Sequence, residues 1–289
     1  MTEFAVIPKL LKPRKSLSYN QKIPKIIWQT ISTNRVPSII KKYSDSWIDL
    51  NPEYEYRFFD NEDIIDFLKK DFPEYVGPYN KLKYGASKAD LWRYLIIYKY
   101  GGVYADMDCK CLNSLRNWID PTASLVTQLG INKDLCQWLI ISEPKNPVFL
   151  KAAQQTLFNS INNNYYTTHY GFELDGQTLI YSDKLLEFNH PVLGLSGPPI
   201  LQNAAEQCYK DGSWSEILPY IQVTGVSSAG NFCNMNGNVI HDTRNKEYKE
   251  SYKKLKLIHY NSRIERIKRI ITNLLSFKIT TTAKKLFIE

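Results

Sequence analysis

The sequence predicts an α/β protein with a mostly parallel sheet, and two observations support this prediction. Short apolar strands alternate with helices through the first third of the chain, and a Gly-Gly pair separates the last of these helices from another apolar strand. Strands and helices that alternate at these lengths form parallel sheets covered by helices. In such sheets, ligands bind beyond the carboxyl ends of the strands.

Each predicted element follows from a local signal. Pro37 begins a helix, since proline is favoured at the first helical position, and Asn51-Pro52 ends it. Residues 54–59 alternate as a half-buried strand does, and Asp60 is a good N-cap for the next helix. The predicted elements are, in chain order, strand 25–29, helix 37–50, strand 54–59, helix 60–68, helix 86–100, strand 103–106, strands 124–128 and 138–142, helix 147–161 and helix 200–207.

We expect one main domain with two appendages. Residues 1–22 are predicted to be a loosely packed N-terminal arm, residues 23–261 the α/β domain, and residues 262–289 a basic amphipathic tail. The segment 162–171 is polar and aromatic, and 231–238 is rich in glycine and asparagine, so both are expected to be loops.

Positive charge is concentrated towards the C-terminal end of the chain. The net charge is +8, of which residues 244–285 contribute +10 and the remainder about −2. This pattern indicates a localised anionic partner and argues against nucleic acid. Two interpretations of the candidate helix 262–277 stay open: attachment to an anionic membrane surface, or docking on the domain. Its apolar face comprises Ile264, Ile267, Ile270, Ile271, Leu274 and Leu275.

Targeting signals and cysteine usage indicate a compartment. No secretory signal begins the sequence, because no apolar run follows its basic residues, and no stretch has the roughly 20 apolar residues of a membrane span. The five cysteines lack the spacing of a disulfide framework or of a complete zinc site. We therefore expect a cytoplasmic protein, peripheral on the inner face of the plasma membrane.

The segment Asp106-Met107-Asp108 follows the strand that the Gly-Gly pair introduces. On an extended segment, side chains at i and i+2 point to the same face, so both carboxylates can meet one divalent cation such as Mn²⁺ or Mg²⁺. Such an ion neutralises a nucleoside-diphosphate leaving group. The alternative is a pair of solvated loop carboxylates.

Asp90 and Arg93 lie at i and i+3 of the preceding helix, on one face. On an isolated helix this would be a surface ion pair of little consequence. Here the pair lies within a largely apolar run, and a buried ion pair usually needs a ligand or a network. The two residues are therefore candidates for a binding site.

Several sequence segments occur in one characteristic order. They are residues 23–30 (IPKIIWQT), Trp47 with Asn51-Pro52, residues 89–94 (ADLWRY) and residues 100–108 (YGGVYADMD). Together they resemble the DXD-containing sugar-transferase family, of glycosyltransferase family 32 type. That family includes yeast initiating mannosyltransferases and bacterial polysaccharide glycosyltransferases, and it shares its core motif with clostridial glucosylating toxins. The resemblance covers about residues 23–112, with a fainter echo at Ser196-Gly197-Pro198-Pro199.

The resemblance implies a GT-A fold, a Rossmann-like α/β sandwich, and transfer that retains the anomeric configuration. By resemblance, Asp108 binds the metal directly, and Asp106 contacts the metal, the ribose, the sugar or a metal-bound water. Asp90 and Arg93 would hold the donor sugar, because arginine offers a planar fork of donors to hydroxyls or phosphate. Asp90, Arg93 and Asp106 are thus the expected catalytic residues.

The nucleotide of a UDP- or GDP-sugar is expected at the end of the first strand, near Trp28, Gln29 and Thr30. By resemblance, Trp28 stacks on the base; the alternative is an indole in the core. Tyr104 also has the family placement, with packing within the strand as its alternative.

A third metal ligand is expected from near the C-terminus, where family members show a histidine followed by Ser-Trp. Residues 257–262 (LIHYNS) keep the histidine and the serine but lack the tryptophan. His259 is therefore the candidate ligand, and His241 competes with it.

The sequence thus predicts a retaining, metal-dependent glycosyltransferase. It would move a sugar from a nucleotide-sugar to a glycan acceptor, lipid-linked or free, in bacterial surface polysaccharide synthesis. Two alternatives stay open: a toxin-like glycosyltransferase that modifies a host protein, and a non-catalytic protein that binds lipid surfaces.

Overall fold

The computed structural model describes residues 4–117, 119–129, 134–175, 178–226 and 239–241. Within these ranges the helices are α1 (Ser38–Leu50), α2 (Asn61–Asp71), α3 (Val76–Lys81), α4 (Gly85–Tyr100), α5 (Pro147–Asn162), α6 (Leu193–Ser196) and α7 (Pro198–Lys210). The strands are β1 (Phe4–Val6), β2 (Leu10–Leu11), β3 (Ile26–Thr30), β4 (Arg35–Pro37), β5 (Glu55–Phe59), β6 (Gly102–Ala105), β7 (Cys109–Cys111), β8 (Leu125–Leu129), β9 (Leu139–Ser142), β10 (Tyr166–Asp175), β11 (Thr178–Asn189), β12 (Ile221–Val226) and β13 (Val239–His241).

A seven-stranded sheet in the order β12-β8-β9-β6-β3-β5-β2 forms the centre of the fold. Strands β6, β3 and β5 are parallel neighbours, as are β12 and β8, whereas β9 is antiparallel to both its neighbours and β2 is antiparallel to β5. Five of the seven strands therefore run in one direction. This arrangement confirms the predicted α/β class with a mostly parallel sheet.

Helices α1 and α2 form where their local signals predict, whereas α3 was not predicted. In α1, Ile40, Tyr43 and Trp47 are buried at helical spacing, and the Trp47 indole donates a hydrogen bond to the Cys109 carbonyl at 2.9 Å. In α2, the Asp60 side chain accepts hydrogen bonds from the first-turn amides, forming a capping box. The first contact joins α1 to β7, and the second fixes the residue at which α2 begins.

Helix α4 is buried along most of its length and delivers the chain directly into β6. It ends at Gly101, whose φ is 62°, and Gly102 follows with a φ of 99°. A Cβ on Gly102 would lie 2.6 Å from the Ile26 carbonyl oxygen of β3. Only glycine therefore permits this close approach of β6 to β3.

The N-terminal segment is packed more tightly than expected. Strand β1 pairs with β4, and β2 pairs with β5 at the edge of the main sheet. Ile7, between the two strands, is completely buried. Hydrophobic burial and backbone pairing thus attach residues 4–11 to the domain, contrary to the expectation of loose packing.

A long hairpin replaces the loop expected at 162–171. Strands β10 and β11 pair from Tyr166↔Asn189 to Asp175↔Thr178, with a bulge between Tyr170 and Phe172. Phe172 is fully buried in the larger apolar core. The hairpin is stabilised by packing on α7, a contact between segments that local composition does not show.

The remaining predictions concern membrane-spanning helices and the C-terminal part of the chain. Within the described ranges, no helix combines the length and apolarity needed to cross a membrane. The expected loop 231–238, His259 and the tail 262–289 lie outside the described residues.

Candidate functional site

Asp90, Arg93 and Asp106 form one ionic cluster at the carboxyl end of β6. The Arg93 Nη2 atom lies 3.1 Å from Asp90 Oδ1 and 3.1 Å from Asp106 Oδ1. The side chains of Asp90 and Arg93 are each only 6% exposed, whereas that of Asp106 is 25% exposed. Asp106 is therefore the member of the cluster most accessible to a ligand.

The Arg93 guanidinium is fixed by groups from three segments of the chain. Besides the two carboxylates, its Nη1 donates a hydrogen bond to the Gln137 carbonyl at 2.9 Å. The guanidinium also lies over the Tyr104 ring, 4.5 Å from its centroid. A buried arginine is stable only with such a set of partners, so its orientation is tightly defined.

Tyr104 joins the cluster through its hydroxyl, which donates a hydrogen bond to Asp106 Oδ1 at 2.5 Å. The same carboxylate oxygen therefore receives donors from Arg93 and from Tyr104. Burial raises the pKa of Tyr104 well above its ordinary value, so the phenol stays protonated and remains a donor.

The electrostatics of Asp90 differ from those of an exposed aspartate. Burial raises the pKa of Asp90 to about 7, against the opposing effects of the Arg93 charge and of the Ser196 hydroxyl. The Asp106 charge raises this pKa further. Asp90 is therefore the carboxyl in this cluster whose charge changes close to neutral pH.

Ser196, Tyr94 and Gln137 surround the buried side of the cluster. The Ser196 hydroxyl donates to Asp90 Oδ2 at 2.8 Å, and the Ser196 carbonyl accepts from the Tyr94 hydroxyl at 2.8 Å and from Gln137 Nε2 at 3.0 Å. Sequence reasoning assigned no role to these three residues. The only sequence signals for them were the weak family resemblance at Ser196-Gly197 and the presence of Tyr94 in the 89–94 segment.

Asp106 and Asp108 lie in a tight turn and not on an extended segment. Strand β6 ends at Ala105, and the Cys109 amide donates to the Asp106 carbonyl at 3.0 Å. The argument from alternating side chains therefore does not apply to this pair. Residues 106–109 instead form a hydrogen-bonded turn, with Asp106 at its first position and Asp108 at its third.

The donor set of this turn fits a hard divalent cation. Two carboxylates, completed by water and diphosphate oxygens, are the usual protein ligands of Mg²⁺ and Mn²⁺. Among the described residues, no three His, Cys, Asp or Glu side chains converge on one point.

Strand β13 runs beside this turn. It pairs antiparallel with β7, and the backbone of His241 lies opposite Cys109, the residue that follows Asp108. This register brings the backbone of His241, the competing candidate for the third ligand, next to the Asp106–Cys109 turn.

Trp28, Gln29 and Thr30 end β3 beside the cluster, but their side chains are engaged internally. The Trp28 indole, 1% exposed, donates to the Gly101 carbonyl at 2.9 Å and stacks on Tyr100. Gln29 accepts from the Tyr56 hydroxyl at 2.9 Å, and Thr30 donates to the Phe59 carbonyl at 2.8 Å. A base could stack on Trp28 only after its ring contacts open.

A known protein family matches the part of the sequence that contains this cluster. Residues 37–125 match the model of the family described as "Glycosyltransferase sugar-binding region containing DXD motif". This stretch contains all of α4, β6 and the Asp106–Cys109 turn, and so it includes the ionic cluster.

The proteins similar to the chain include three from fungi. A mannosyl phosphorylinositol ceramide synthase of Saccharomyces cerevisiae is 36% identical over 46% of this chain and 34% of its own length. An inositol phosphoceramide mannosyltransferase of Schizosaccharomyces pombe is 42% identical over 32% of this chain and 26% of its own length. An initiation-specific alpha-1,6-mannosyltransferase of Candida albicans is 24% identical over 74% and 64%.

The chain matches about a third or less of the length of the first two of these relatives. A solved structure titled "PaToxG Glycosyltransferase" superposes with a TM-score of 0.45 at 18% identity, over 68% of this chain and 72% of that chain. That superposition is loose and decides nothing about the fold.

Proposed function

We propose that this chain transfers a hexosyl group from a nucleotide-sugar to a glycan or lipid-borne acceptor, because residues 37–125 match the model of the DXD-containing sugar-binding region of glycosyltransferases. The observation that supports this most directly is the bridging of Asp90 and Asp106 by one buried arginine, Arg93, next to the turn that carries Asp108. The proposal includes a GT-A fold and retention of the anomeric configuration.

In this proposal, Asp106 and Asp108 hold a divalent cation, Mn²⁺ or Mg²⁺. The bound cation supplies charge neutralisation for the nucleoside-diphosphate leaving group. Its third protein ligand is His241 or His259. The backbone register of β13 supports His241, whereas the resemblance of residues 257–262 supports His259.

The protein's own side chains orient the donor. Arg93 and Tyr104 both donate to one oxygen of Asp106, and this fixes the rotamer of the carboxylate that faces the ligand. A carboxylate held in this way loses little conformational entropy when it binds the donor. Asp90 keeps Arg93 in place, and it contacts the donor sugar through the small part of its surface that is exposed.

The donor sugar that we propose is mannose, because the three fungal relatives described above are named for mannosyl transfer or mannosyl lipid synthesis. The base is uracil or guanine. Trp28 stacks on it only if the Tyr100 contact opens.

A binding panel tests the proposal. Thermal unfolding is measured with UDP, GDP, UDP-glucose and GDP-mannose, each with and without Mn²⁺. A donor that binds the native state at 100 times its Kd stabilises the protein by about 2.7 kcal/mol, and we expect this only when Mn²⁺ is present. No response to any nucleotide, together with no hydrolysis of any donor, would remove the proposed activity.

The acceptor that we propose is borne on a membrane, at the inner face of which the basic tail binds anionic lipid. Sugar transfer is measured to three acceptors and compared among them. They are a lipid-linked oligosaccharide from bacterial surface polysaccharide synthesis, an inositol phosphoceramide, and host protein. Product on either lipid supports a membrane-borne acceptor. Product on protein alone favours a toxin-like enzyme, and lipid binding without any turnover favours a non-catalytic protein.

A further inference from the structure

We propose that Ser196 is a positioning residue of this site, whose hydroxyl holds the Asp90 carboxylate and through it Arg93 and Asp106. The inference rests on the proposed function, and it adds a residue to the site from a part of the chain 106 positions beyond Asp90. It concerns the order of the ionic cluster, not direct contact with the donor.

The Ser196 hydroxyl has two acceptors within reach. Asp90 Oδ2 lies at 2.8 Å and the Val192 carbonyl at 3.3 Å. A hydroxyl has one proton, and the shorter bond to a carboxylate is also the stronger one. Ser196 is completely buried, so water does not compete for this donor.

Asp90 is thereby held at both oxygens. Ser196 binds Oδ2 while Arg93 lies 3.1 Å from Oδ1. Rotation of the carboxylate would break one of these contacts. Because the same Arg93 nitrogen also pairs with Asp106, the orientation of Asp90 affects the position of Asp106, the more accessible carboxylate of the cluster.

The segment that carries Ser196 is itself rigidly packed. The Thr167 hydroxyl donates to the Gly194 carbonyl at 2.9 Å, and Asn159 Nδ2 donates to the Leu195 carbonyl at 3.1 Å. A Cβ on Gly194 would lie 1.8 Å from the Tyr165 carbonyl oxygen. The Ser196 hydroxyl is therefore presented to Asp90 from a fixed backbone.

The test compares four proteins in donor hydrolysis: wild type, Ser196→Ala, Ser196→Thr and Thr167→Val. Thr167 supports the same segment without touching Asp90, so Thr167→Val is the matched control for loss of packing. We expect Ser196→Ala to lower kcat about 10- to 100-fold, the range found when outer partners of a site are removed. Affinity for the nucleoside diphosphate alone should change less than about twofold. Ser196→Thr, which keeps the hydroxyl, should restore most of the activity.

A double-mutant cycle keeps the inference testable if Ser196→Ala proves inactive. Urea unfolding of wild type, Ser196→Ala, Asp90→Asn and the double variant should show a coupling of about fivefold or more in the unfolding equilibrium constant, as residues in contact do. Three results would each overturn the inference. They are an unchanged kcat in Ser196→Ala, an equal loss of kcat in Ser196→Ala and Thr167→Val, and additive effects of Ser196→Ala and Asp90→Asn on the free energy of unfolding. A wild-type protein that hydrolyses no donor would instead remove the proposed function.

Discussion

Asp108 is the side chain on which the metal hypothesis depends most directly. We predict that Asp108→Asn lowers transfer at least about 100-fold, because a neutral amide replaces a carboxylate aimed at a cation whose charge stabilisation is worth several kcal/mol. Transfer is measured by product formation at saturating donor with added Mn²⁺. The free energy of unfolding should change by no more than about 0.5 kcal/mol.

The control for this substitution is Asp66→Asn, at a carboxylate that is 77% exposed on α2. It should leave both activity and stability unchanged. Full activity in Asp108→Asn, or in wild type after exhaustive chelation, would contradict metal dependence.

We expect that even the conservative substitution Arg93→Lys impairs activity. In Arg93→Lys, one ammonium cannot bridge Asp90 and Asp106 while also donating to the Gln137 carbonyl, because it lacks the planar fork. We predict that kcat/KM falls more than about tenfold. Arg14→Lys, at a half-exposed arginine that pairs with Asp49, should behave as wild type. If Arg93→Lys retained normal kinetics, Arg93 would be only a structural ion pair.

Asp90 should make stability depend on pH in a defined direction. Its pKa is raised by burial to about 7, so the folded state holds the proton more tightly than the unfolded state does. The resulting stabilisation is fully present below about pH 4 and is lost as pH rises through about 7, by at most about 1.4 kcal/mol per pH unit.

The measurement is urea unfolding of wild type and Asp90→Asn at several pH values, with a chelator present to remove metal binding. The free energy of unfolding of wild type relative to Asp90→Asn should fall between pH 4 and pH 7. A difference that is constant with pH would show that Asp90 titrates normally.

Individual residues differ in how far the sequence could predict them. The neighbours Asp90, Arg93, Tyr104 and Asp106 could be grouped because helix and strand periodicity places them within one helix–turn–strand unit. Their functional roles stay predictions. The contact of Ser196 with Asp90 could not be derived, since it depends on how distant helices pack.

At the scale of elements, the short helix α6 should be the segment least tolerant of added volume. Gly194→Ala would place a Cβ 1.8 Å from the Tyr165 carbonyl oxygen, so backbone would have to move. We predict a loss of about 3 kcal/mol or more in the free energy of unfolding, at the upper end of overpacking effects.

Gly77→Ala in α3 is the control, because a Cβ there meets nothing within 4 Å. It should be neutral or stabilising by up to about 1 kcal/mol, as measured by denaturant titration; equal effects of the two substitutions would refute the prediction.

The elements that the sequence predicted well are those with a local cause. Helix α2 is set by its Asp60 cap, and α4 ends where Gly101 takes a positive φ. The loop predicted at 162–171 was wrong, because residues from Tyr166 onward pair with the next strand, β11, and pack on α7. Tertiary contacts override local propensity in such segments.

At the scale of the whole molecule, the basic tail is predicted to control where the enzyme works. Deleting residues 262–289 should abolish binding to anionic vesicles and slow transfer to a lipid-borne acceptor, while metal-dependent donor hydrolysis stays largely intact. Each basic residue near an anionic surface contributes roughly 1 kcal/mol, and this attraction is screened within about 8–10 Å at physiological ionic strength. Vesicle binding by the full-length chain should therefore weaken steeply with salt.

Sedimentation with vesicles of mixed anionic and neutral lipid measures this binding, and neutral vesicles are the control. Salt-insensitive or absent binding by the full-length chain would mean that the tail docks on the domain. Loss of donor hydrolysis in the truncated chain would mean that the tail completes the active site.

The edge of the main sheet at β2 has a consequence for behaviour at high concentration. An exposed edge offers unpaired backbone groups to a second molecule, and aggregation often begins there. Here the edge strand is only two residues long, Leu10–Leu11, and Lys12-Pro13-Arg14 follows it directly. Proline removes one backbone donor, while Lys12 and Arg14 form ion pairs with Glu55 and Asp49 of the same chain. The short strand and the proline that follows it thus leave little backbone at this edge for a second copy to extend.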